Sequence, residues 1–285
     1  RVVVASAGNA GTAPIHLGYD LNADTNFTWL QFSSDYIYIQ AWGDSGQFEN
    51  ANFSIGLDRV KPDYHSVASM PFVNIQSQLD TVVVDTLFDG TNRLGTIYRY
   101  AEYFNGRYSF EYIIYPDSTM NISGNDTSRY LWSFKTFGSG RMDAWSLEMV
   151  FDNIPDSSIF PVINQYKKPD GEQTIVSSFT CSDKVITVGS YINRNYYTNA
   201  NFAITRDTSL EVGQLSSFSS RGPTRDGRIK PDITATGEWV LSAGTQSELN
   251  ILSATEPTKV AAGKKHKRSS GTSMSSPMVA GICAL

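Results

Sequence analysis

Cysteine, histidine and charge are all scarce in this sequence, and it contains no long apolar run. Its 285 residues include 2 cysteines, Cys181 and Cys283, too few for a disulfide framework. Two buried free thiols are favoured over a single bridge. No apolar run is long enough to cross a bilayer, so we expect no membrane span. Charged residues make up 18% of the chain and the net charge is −5, which argues against nucleic acid as a main partner.

Two stretches, one at each end of the chain, have the pattern of apolar residues typical of an α/β domain. The apolar residues 2–5 lead into a loop of small residues, as at the C-terminal end of a parallel strand. Residues 184–190 give a second buried-strand pattern, and an apolar helical pattern begins near Ser273. Residues 1–14 and 179–285 are therefore predicted to form a parallel sheet with helices. Both chain ends fall inside core patterns, so we expect a piece of a longer protein.

The middle of the chain, residues 15–178, has a different pattern of apolar and polar residues. Apolar and polar residues alternate with period two between clusters of Gly, Asn, Asp and Pro, and aromatic residues, which favour strands, are abundant. Regularly spaced short strands of this kind are typical of an all-β sandwich or jelly roll. We therefore predict a β domain inserted into the α/β domain. Its predicted strands include residues 82–87, 108–115, 131–137 and 145–149.

The segment most suggestive of chemistry is residues 270–277. It places Ser273 after a glycine and at the start of the predicted helix. Free backbone N–H groups and the helix dipole at that position face negative charge that develops beside the serine oxygen. Serine is also a preferred N-cap residue. Taken alone, the segment fits a nucleophile and a helix cap equally well.

Residues 271–277 resemble the nucleophile motif of the subtilisin-like serine proteases, the subtilases, which reads Gly-Thr-Ser-Met-Ala-Xaa-Pro. The resemblance implies that Ser273 is the nucleophile. The sequence departs from the family at Ser275, where Ala is usual, and at Met278, where His is usual. Residues 216–233 resemble the stretch upstream of the subtilase nucleophile, and they occur in family order.

The loop after the first predicted strand carries the third point of resemblance. Its Ala-Gly-Asn sequence is similar to the subtilase loop whose Asn side chain donates a hydrogen bond to the oxyanion, which implies that role for Asn9. An amide suits this task because it donates without carrying charge. The residues implied to bind substrate are Ala7, Gly8, Gly271 and Thr272.

The resemblance is limited to the two ends of the chain. Subtilases pass from the oxyanion Asn to the strand matching 185–188 through a short loop, whereas here a whole β domain intervenes. An insertion at this place is similar to the germination-type subtilases of spore-forming bacteria. The family's Asp and His motifs precede the Ala-Gly-Asn loop, and neither motif occurs in this sequence. The histidines, His16, His65 and His266, are interpreted as surface or loop residues.

The resemblance implies a secreted or cell-envelope serine endopeptidase that acts on protein or peptide substrates. The triad Asp and His would come from a missing N-terminal half, so this chain alone is expected to be inactive, and Ser273 and Asn9 are expected to be out of catalytic register. The alternative is a catalytically inactive homologue with a binding or regulatory role. A third hypothesis makes the insert a carbohydrate- or protein-binding module, which an exposed aromatic strip would favour.

No cofactor is expected, and no metal site is predicted with the catalytic residues. The alternating residues Asp20, Asn22, Asp24 and Asn26 look like the start of a calcium loop. An EF-hand loop would also need Gly at its sixth position and Glu at its twelfth. Those positions hold other residues, so a polar turn is preferred over a calcium site.

Overall fold

The computed structural model describes residues 2–32, 35–117 and 129–285 of the chain. Short 3-10 helices lie between some of the regular elements. The α helices are α1 (Gln246–Thr255) and α2 (Thr272–Ala284). The strands, in chain order, are β1 (Val3–Ser6), β2 (His16–Asp20), β3 (Asn26–Leu30), β4 (Ile37–Asp44), β5 (Asn52–Lys61), β6 (His65–Ser69), β7 (Val73–Asn74), β8 (Val83–Asp89), β9 (Asn92–Phe104), β10 (Arg107–Pro116), β11 (Arg129–Phe137), β12 (Arg141–Trp145), β13 (Val185–Ile192), β14 (Tyr196–Thr198), β15 (Ile204–Arg206), β16 (Ile233–Glu238), β17 (Val240–Ala243) and β18 (His266–Ser269).

The chain divides into two compact units, and the first comprises Arg1–Ala13 and Gly171–Leu285. Its main sheet has the order β1-β13-β16, and both pairings are parallel. Helix α2 packs on all three of these strands. The first unit also contains helix α1 and two small antiparallel pairs, β14 with β15 and β17 with β18.

Small side chains allow α2 to approach the parallel sheet closely. A Cβ added at Gly237 in β16 would lie 2.1 Å from Ser275 Oγ on α2 and 2.5 Å from Ser190 Oγ on β13. Such distances are far below van der Waals contact, so glycine is required for this packing. The Ser190 hydroxyl in turn hydrogen-bonds to the Ser216 hydroxyl at 2.8 Å. The start of α2 is therefore fixed closely against the sheet.

The second unit, Pro14–Asp170, contains two antiparallel sheets. One has the order β2-β12-β4-β10-β9-β8, and the other has the order β3-β11-β5-β6 with β7 paired to β5. Alternate residues of both sheets enter a shared apolar core, as the two-residue period of a strand requires. The rings of Phe53 on β5 and Phe110 on β10 stack across this core with centroids 4.4 Å apart.

The second sheet also buries its other face. Phe27 and Trp29 on β3 belong to a separate apolar cluster, against which Phe160 and Tyr166 pack. The Trp29 Nε1 donates a hydrogen bond to the buried Asp58 carboxylate at 2.9 Å. Because β3 is covered on both sides, all five of its residues are buried.

The predicted strands are found where apolar and polar residues alternate, with one exception. Strands β8, β10 and β11 cover the predicted segments 82–87, 108–115 and 131–137 almost completely. The prediction of a strand over 145–149 is wrong, because β12 ends at Trp145. The Ser146 hydroxyl accepts a hydrogen bond from Glu148 N at 3.2 Å, and this local bond competes with strand pairing.

The boundaries of the second unit differ from those proposed for the insertion. The sequence placed the insertion at 15–178, whereas residues 171–178 lie with the first unit. Two backbone hydrogen bonds hold them there: Ile175 N donates to Arg221 O at 3.0 Å, and Ser177 N donates to Ala7 O at 2.9 Å.

Both cysteines are free thiols, and Cys181 is half-buried. The prediction that both are buried is wrong for Cys283, which is exposed. The buried residues of α2 are Thr272, Ser275 and Val279, which lie in its first turns. Cys283 lies in the last turn of the helix, beyond this contact.

Candidate active site

The loop that follows β1 is fixed by hydrogen bonds within the first unit. Ala7 is fully buried, and its N–H donates to Val188 O on β13 at 2.9 Å. Its carbonyl accepts from Ser177 N at 2.9 Å. Three positions further on, Ala10 N donates to Ser220 Oγ at 3.0 Å. The loop is therefore held at the carboxyl end of the parallel sheet.

Gly8 is required at its position by both conformation and space. Its φ is +106°, a region that residues with a side chain rarely adopt. A Cβ at Gly8 would lie 2.7 Å from Ser177 Oγ and 2.9 Å from Ser220 Oγ. The backbone on either side of Gly8 can therefore follow this path only because the side chain is absent.

Helix α2 begins immediately after Gly271. Gly271 has a φ of +140°, and its N–H donates to Gly237 O at 2.8 Å, which attaches the helix start to β16. Thr272 is buried and Ser273 is exposed. The Ser273 hydroxyl therefore faces solvent in the first turn, where backbone N–H groups have no partner within the helix.

Three hydrogen bonds join the loop to the helix start. The Asn9 Oδ1 accepts from Thr272 N at 2.9 Å and from the Thr272 hydroxyl at 3.0 Å. The Thr272 Oγ1 also accepts from Gly8 N at 3.2 Å. Because Asn9 Oδ1 faces two donors, its Nδ2 is left to donate elsewhere. A Cβ at Gly271 would lie 3.3 Å from that Nδ2, so the amide nitrogen lies beside the residue that precedes Thr272 and Ser273.

These bonds tie the Asn9 loop to the residue that precedes Ser273, whereas the expectation that Asn9 and Ser273 are out of catalytic register stays a prediction. The structure brings Asn9 to the start of α2, and Asn9 and Ser273 are both exposed residues. An amide N–H and a first-turn backbone N–H can both donate to an oxygen that gains negative charge. An exposed asparagine side chain and the free N–H groups of a helix start therefore lie close together.

The four residues predicted to bind substrate surround this junction. Ala7 and Thr272 are buried side chains that fix the backbone, whereas Gly8 and Gly271 have positive φ values and no side chain to block an approaching chain. Sequence reasoning missed the bond between the Thr272 hydroxyl and Asn9. It joins positions far apart in the chain, and no local pattern indicates it.

An ion pair supports the sheet below the site. The buried Lys230 Nζ donates to Val185 O at 2.8 Å and to the Asp232 carboxylate at 2.7 Å. Partial burial tends to raise the pKa of Asp232, but the hydrogen bonds from Lys230 and from Thr187 N outweigh it, and the pKa is lowered. Asp232 therefore stays ionised and fixes the start of β16 to β13.

The histidines occupy different environments. His65 and His266 are exposed, in agreement with the sequence-based interpretation. The interpretation of His16 as a surface or loop residue is wrong, since it is 3% exposed in β2. Its Nε2 lies 2.9 Å from Asp143 Oδ1 on the paired strand β12, and its ring packs against Trp145. The carboxylate supplies the partner that a buried imidazole needs.

The acidic and amide residues near β2 form a local turn. The Asn22 Oδ1 accepts from Asp24 N at 2.9 Å and from Asn26 Nδ2 at 3.3 Å. Across residues 2–32, 35–117 and 129–285, no group of three or more His, Cys, Asp or Glu side chains could hold a metal ion. In the same described part, no helix has the length and apolar character needed to cross a membrane.

Comparison with known proteins gives one family match and several relatives. The model of the subtilase family, Peptidase_S8, matches residues 160–285. The chain is 34% identical over 163 residues to an uncharacterised protein of Aquifex aeolicus, covering 57% of this chain and 66% of that protein. It is 38% identical over 117 residues to the serine protease AprX of Bacillus subtilis, covering 41% of this chain and 23% of that protein.

Two further similarities extend the comparison. Over 72 residues the chain is 44% identical to the C5a peptidase of Streptococcus pyogenes, covering 25% of this chain and 5% of that protein. The solved structure of the CspB protease of Clostridium perfringens matches with a TM-score of 0.57 and 21% identity, covering 99% of this chain and 48% of that one. The last match is a likeness of fold. The chain thus spans 66% or less of the length of each of these relatives.

Proposed function

We propose that this chain, which belongs to the subtilase family of serine proteases, is the nucleophile-bearing part of a serine endopeptidase. Ser273 is the nucleophile and Asn9 is the oxyanion donor. The observation that carries this proposal is the pair of bonds from Thr272 to Asn9 Oδ1, at 2.9 and 3.0 Å. They orient the amide so that its nitrogen lies beside Gly271, at the entrance to the helix that bears Ser273.

The reaction is an acyl transfer in two stages. The Ser273 Oγ attacks the carbonyl carbon of a peptide bond while a histidine takes its proton, and the carbonyl oxygen becomes an oxyanion. Asn9 Nδ2 and the Ser273 N–H donate to that oxygen. The same histidine then protonates the leaving amine, the peptide C–N bond breaks, and an acyl-enzyme forms. Water hydrolyses the ester and restores the Ser273 hydroxyl.

The histidine and its aspartate are proposed to come from a part of the parent protein outside this chain. The sheet edge supports this assignment. Strand β1 is the outer strand of the parallel sheet, and Val3 on it is 54% exposed. Parallel sheets are normally covered on both faces and contain strongly buried strands. Further strands and helices of the parent would cover this edge, and the first unit is then the remnant of a subtilisin-like domain.

The second unit is proposed to be an inserted β-sandwich or jelly roll, with its two sheets enclosing the shared core. The substrate is a protein or peptide, bound past Ala7, Gly8, Gly271 and Thr272. Neither a cofactor nor nucleic acid takes part in the proposed reaction. The location proposed for the parent, secreted or in the cell envelope, follows from the family resemblance.

The test compares this chain with its parent. The 285-residue chain alone should not hydrolyse peptides and should resist labelling by a fluorophosphonate, because on this proposal Ser273 lacks the base that takes its proton. The parent, carrying the upstream Asp and His motifs, should hydrolyse peptides and should be labelled stoichiometrically. Peptide mapping by mass spectrometry identifies the labelled residue. Rapid stoichiometric labelling of Ser273 in the chain alone would show that no further segment is needed.

A further inference from the structure

One face of the second unit carries aromatic side chains that the proposed peptidase reaction does not use. In β4, Ile37, Ile39 and Ala41 enter the core, whereas the residues between them lie on the opposite face of the sheet. Those residues are Tyr38, Gln40 and Trp42, and each is partly exposed.

The neighbouring strands continue this pattern in register. Tyr38 pairs with Ile113 on β10, and Ile113 pairs with Tyr98 on β9. Tyr115, next on the same face of β10, makes ring contacts with Tyr98 at 5.6 Å and with Tyr36 at 5.9 Å. Tyr98 is 38% exposed and Tyr115 is 43% exposed, so these rings are accessible to a ligand.

The face has a second row of side chains, beside the row that runs from Tyr38 through Ile113 to Tyr98. This second row contains the polar groups. Glu111 on β10 pairs with Tyr100 on one side and with Gln40 on the other, and Gln40 pairs with Trp145 on β12. The Gln40 Nε2 donates to the Glu111 carboxylate at 2.5 Å. Neighbouring strands lie about 4.8 Å apart, and three such spacings separate Tyr100 from Trp145. Their rings therefore flank a polar centre about 14 Å wide.

The charges on these two rows restrict the kind of ligand. Neither row contains a lysine or an arginine, and the carboxylate of Glu111 lies at the centre. A polyanion would therefore be repelled. An apolar protein surface would bury that carboxylate with no donor beyond the Gln40 amide and the Tyr38 hydroxyl, and taking its charge out of water is unfavourable.

The phenol groups add hydrogen-bond donors. Burial, and the negative charge and hydrogen bond of Glu111 beside it, raise the pKa of Tyr38. A ligand suited to these rows has apolar C–H surfaces for the rings and uncharged hydroxyls for the carboxylate, the amide and the phenols. Carbohydrate chains combine both properties.

We propose that this face of the sheet, formed by Tyr38, Gln40, Tyr98, Tyr100, Glu111 and Tyr115, binds a neutral oligosaccharide. The rings stack on the sugar faces, and Glu111 and Gln40 hydrogen-bond to the hydroxyls. Binding there is independent of Ser273. It would attach the protease to a carbohydrate-bearing surface.

The experiment is isothermal titration of the 285-residue chain with four neutral hexasaccharides: cellohexaose, chitohexaose, xylohexaose and mannohexaose. We expect saturable binding of at least one. Tyr98→Ala should raise the Kd roughly 10-fold or more, as expected for removal of a central aromatic contact. Tyr115→Ala provides a second variant should Tyr98→Ala fail to fold, which circular dichroism will show.

Tyr196→Ala is the matched control, because Tyr196 is 54% exposed but lies in the first unit. It should leave the Kd unchanged, as should Ser273→Ala. Hexalysine and heparin are titrated in parallel. Failure of all four sugars to bind at millimolar concentration overturns the proposal. So does binding that Tyr98→Ala and Tyr115→Ala leave intact, or binding of hexalysine or heparin in place of the sugars.

Discussion

Replacing Ser273 with Ala in the parent protein should lower kcat for a peptide substrate by about 10⁶-fold, the size of loss found when a subtilisin-type nucleophile is removed. The loss is this large because attack, proton transfer and acyl-enzyme formation all require the Ser273 oxygen. The measurement is steady-state hydrolysis of a chromogenic peptide, with the variant expressed and purified in parallel with the parent.

Ser276→Ala is the matched control for this substitution. Ser276 lies one turn further along α2 and is partly exposed. Alanine is a better helix former than serine, so the control should fold normally and keep kcat within a few-fold of the parent. If Ser273→Ala retained a tenth of the parent's activity, the assignment of Ser273 as nucleophile would be wrong.

Asn9→Ala in the parent should lower kcat by about 10²- to 10³-fold and change KM little, since an oxyanion donor acts mainly in the transition state. The figure is that of the corresponding donor in subtilisin. Asn9→Asp should be at least as damaging, because a carboxylate removes the donor and faces the oxyanion with like charge.

Thr272→Val tests whether the orientation of the Asn9 amide matters. Valine keeps the shape of threonine but removes the hydroxyl that bonds to Asn9 Oδ1 at 3.0 Å. The bond from Thr272 N remains, so we expect a smaller loss, about 10-fold in kcat. A Thr272→Val loss equal to that of Asn9→Ala, or an Asn9→Ala effect confined to KM, would contradict the proposed role of the amide.

The features that the sequence predicted well are those determined by the pattern of neighbouring residues. The alternation over 108–115 and 131–137 specifies which residues face the core, and β10 and β11 follow it. The start of α2 was also predictable, because a glycine and small polar residues precede the apolar helical pattern. The junction between Asn9 and Thr272 depends on a contact between distant positions, and only the family resemblance pointed to it.

The incorrect sequence-based predictions share a physical cause. At these positions the structure is decided by contacts with residues that are distant in sequence or lie in irregular segments. His16 was expected at the surface because nothing near it in sequence marks Asp143 as its partner. The strand predicted over 145–149 gave way to a turn bonded through Ser146. Residues such as Phe160 and Tyr166 have no strand or helix period, yet they cover the outer face of the second sheet.

The most direct test of the central claim is a crystal structure of the parent protein after reaction with a fluorophosphonate. The serine oxygen displaces fluoride, and the phosphonyl oxygen then occupies the position of the oxyanion. We predict a covalent bond to Ser273 Oγ, with the phosphonyl oxygen about 2.7–3.1 Å from both Asn9 Nδ2 and Ser273 N. An adduct on another residue, or a phosphonyl oxygen directed away from Asn9, would contradict the account.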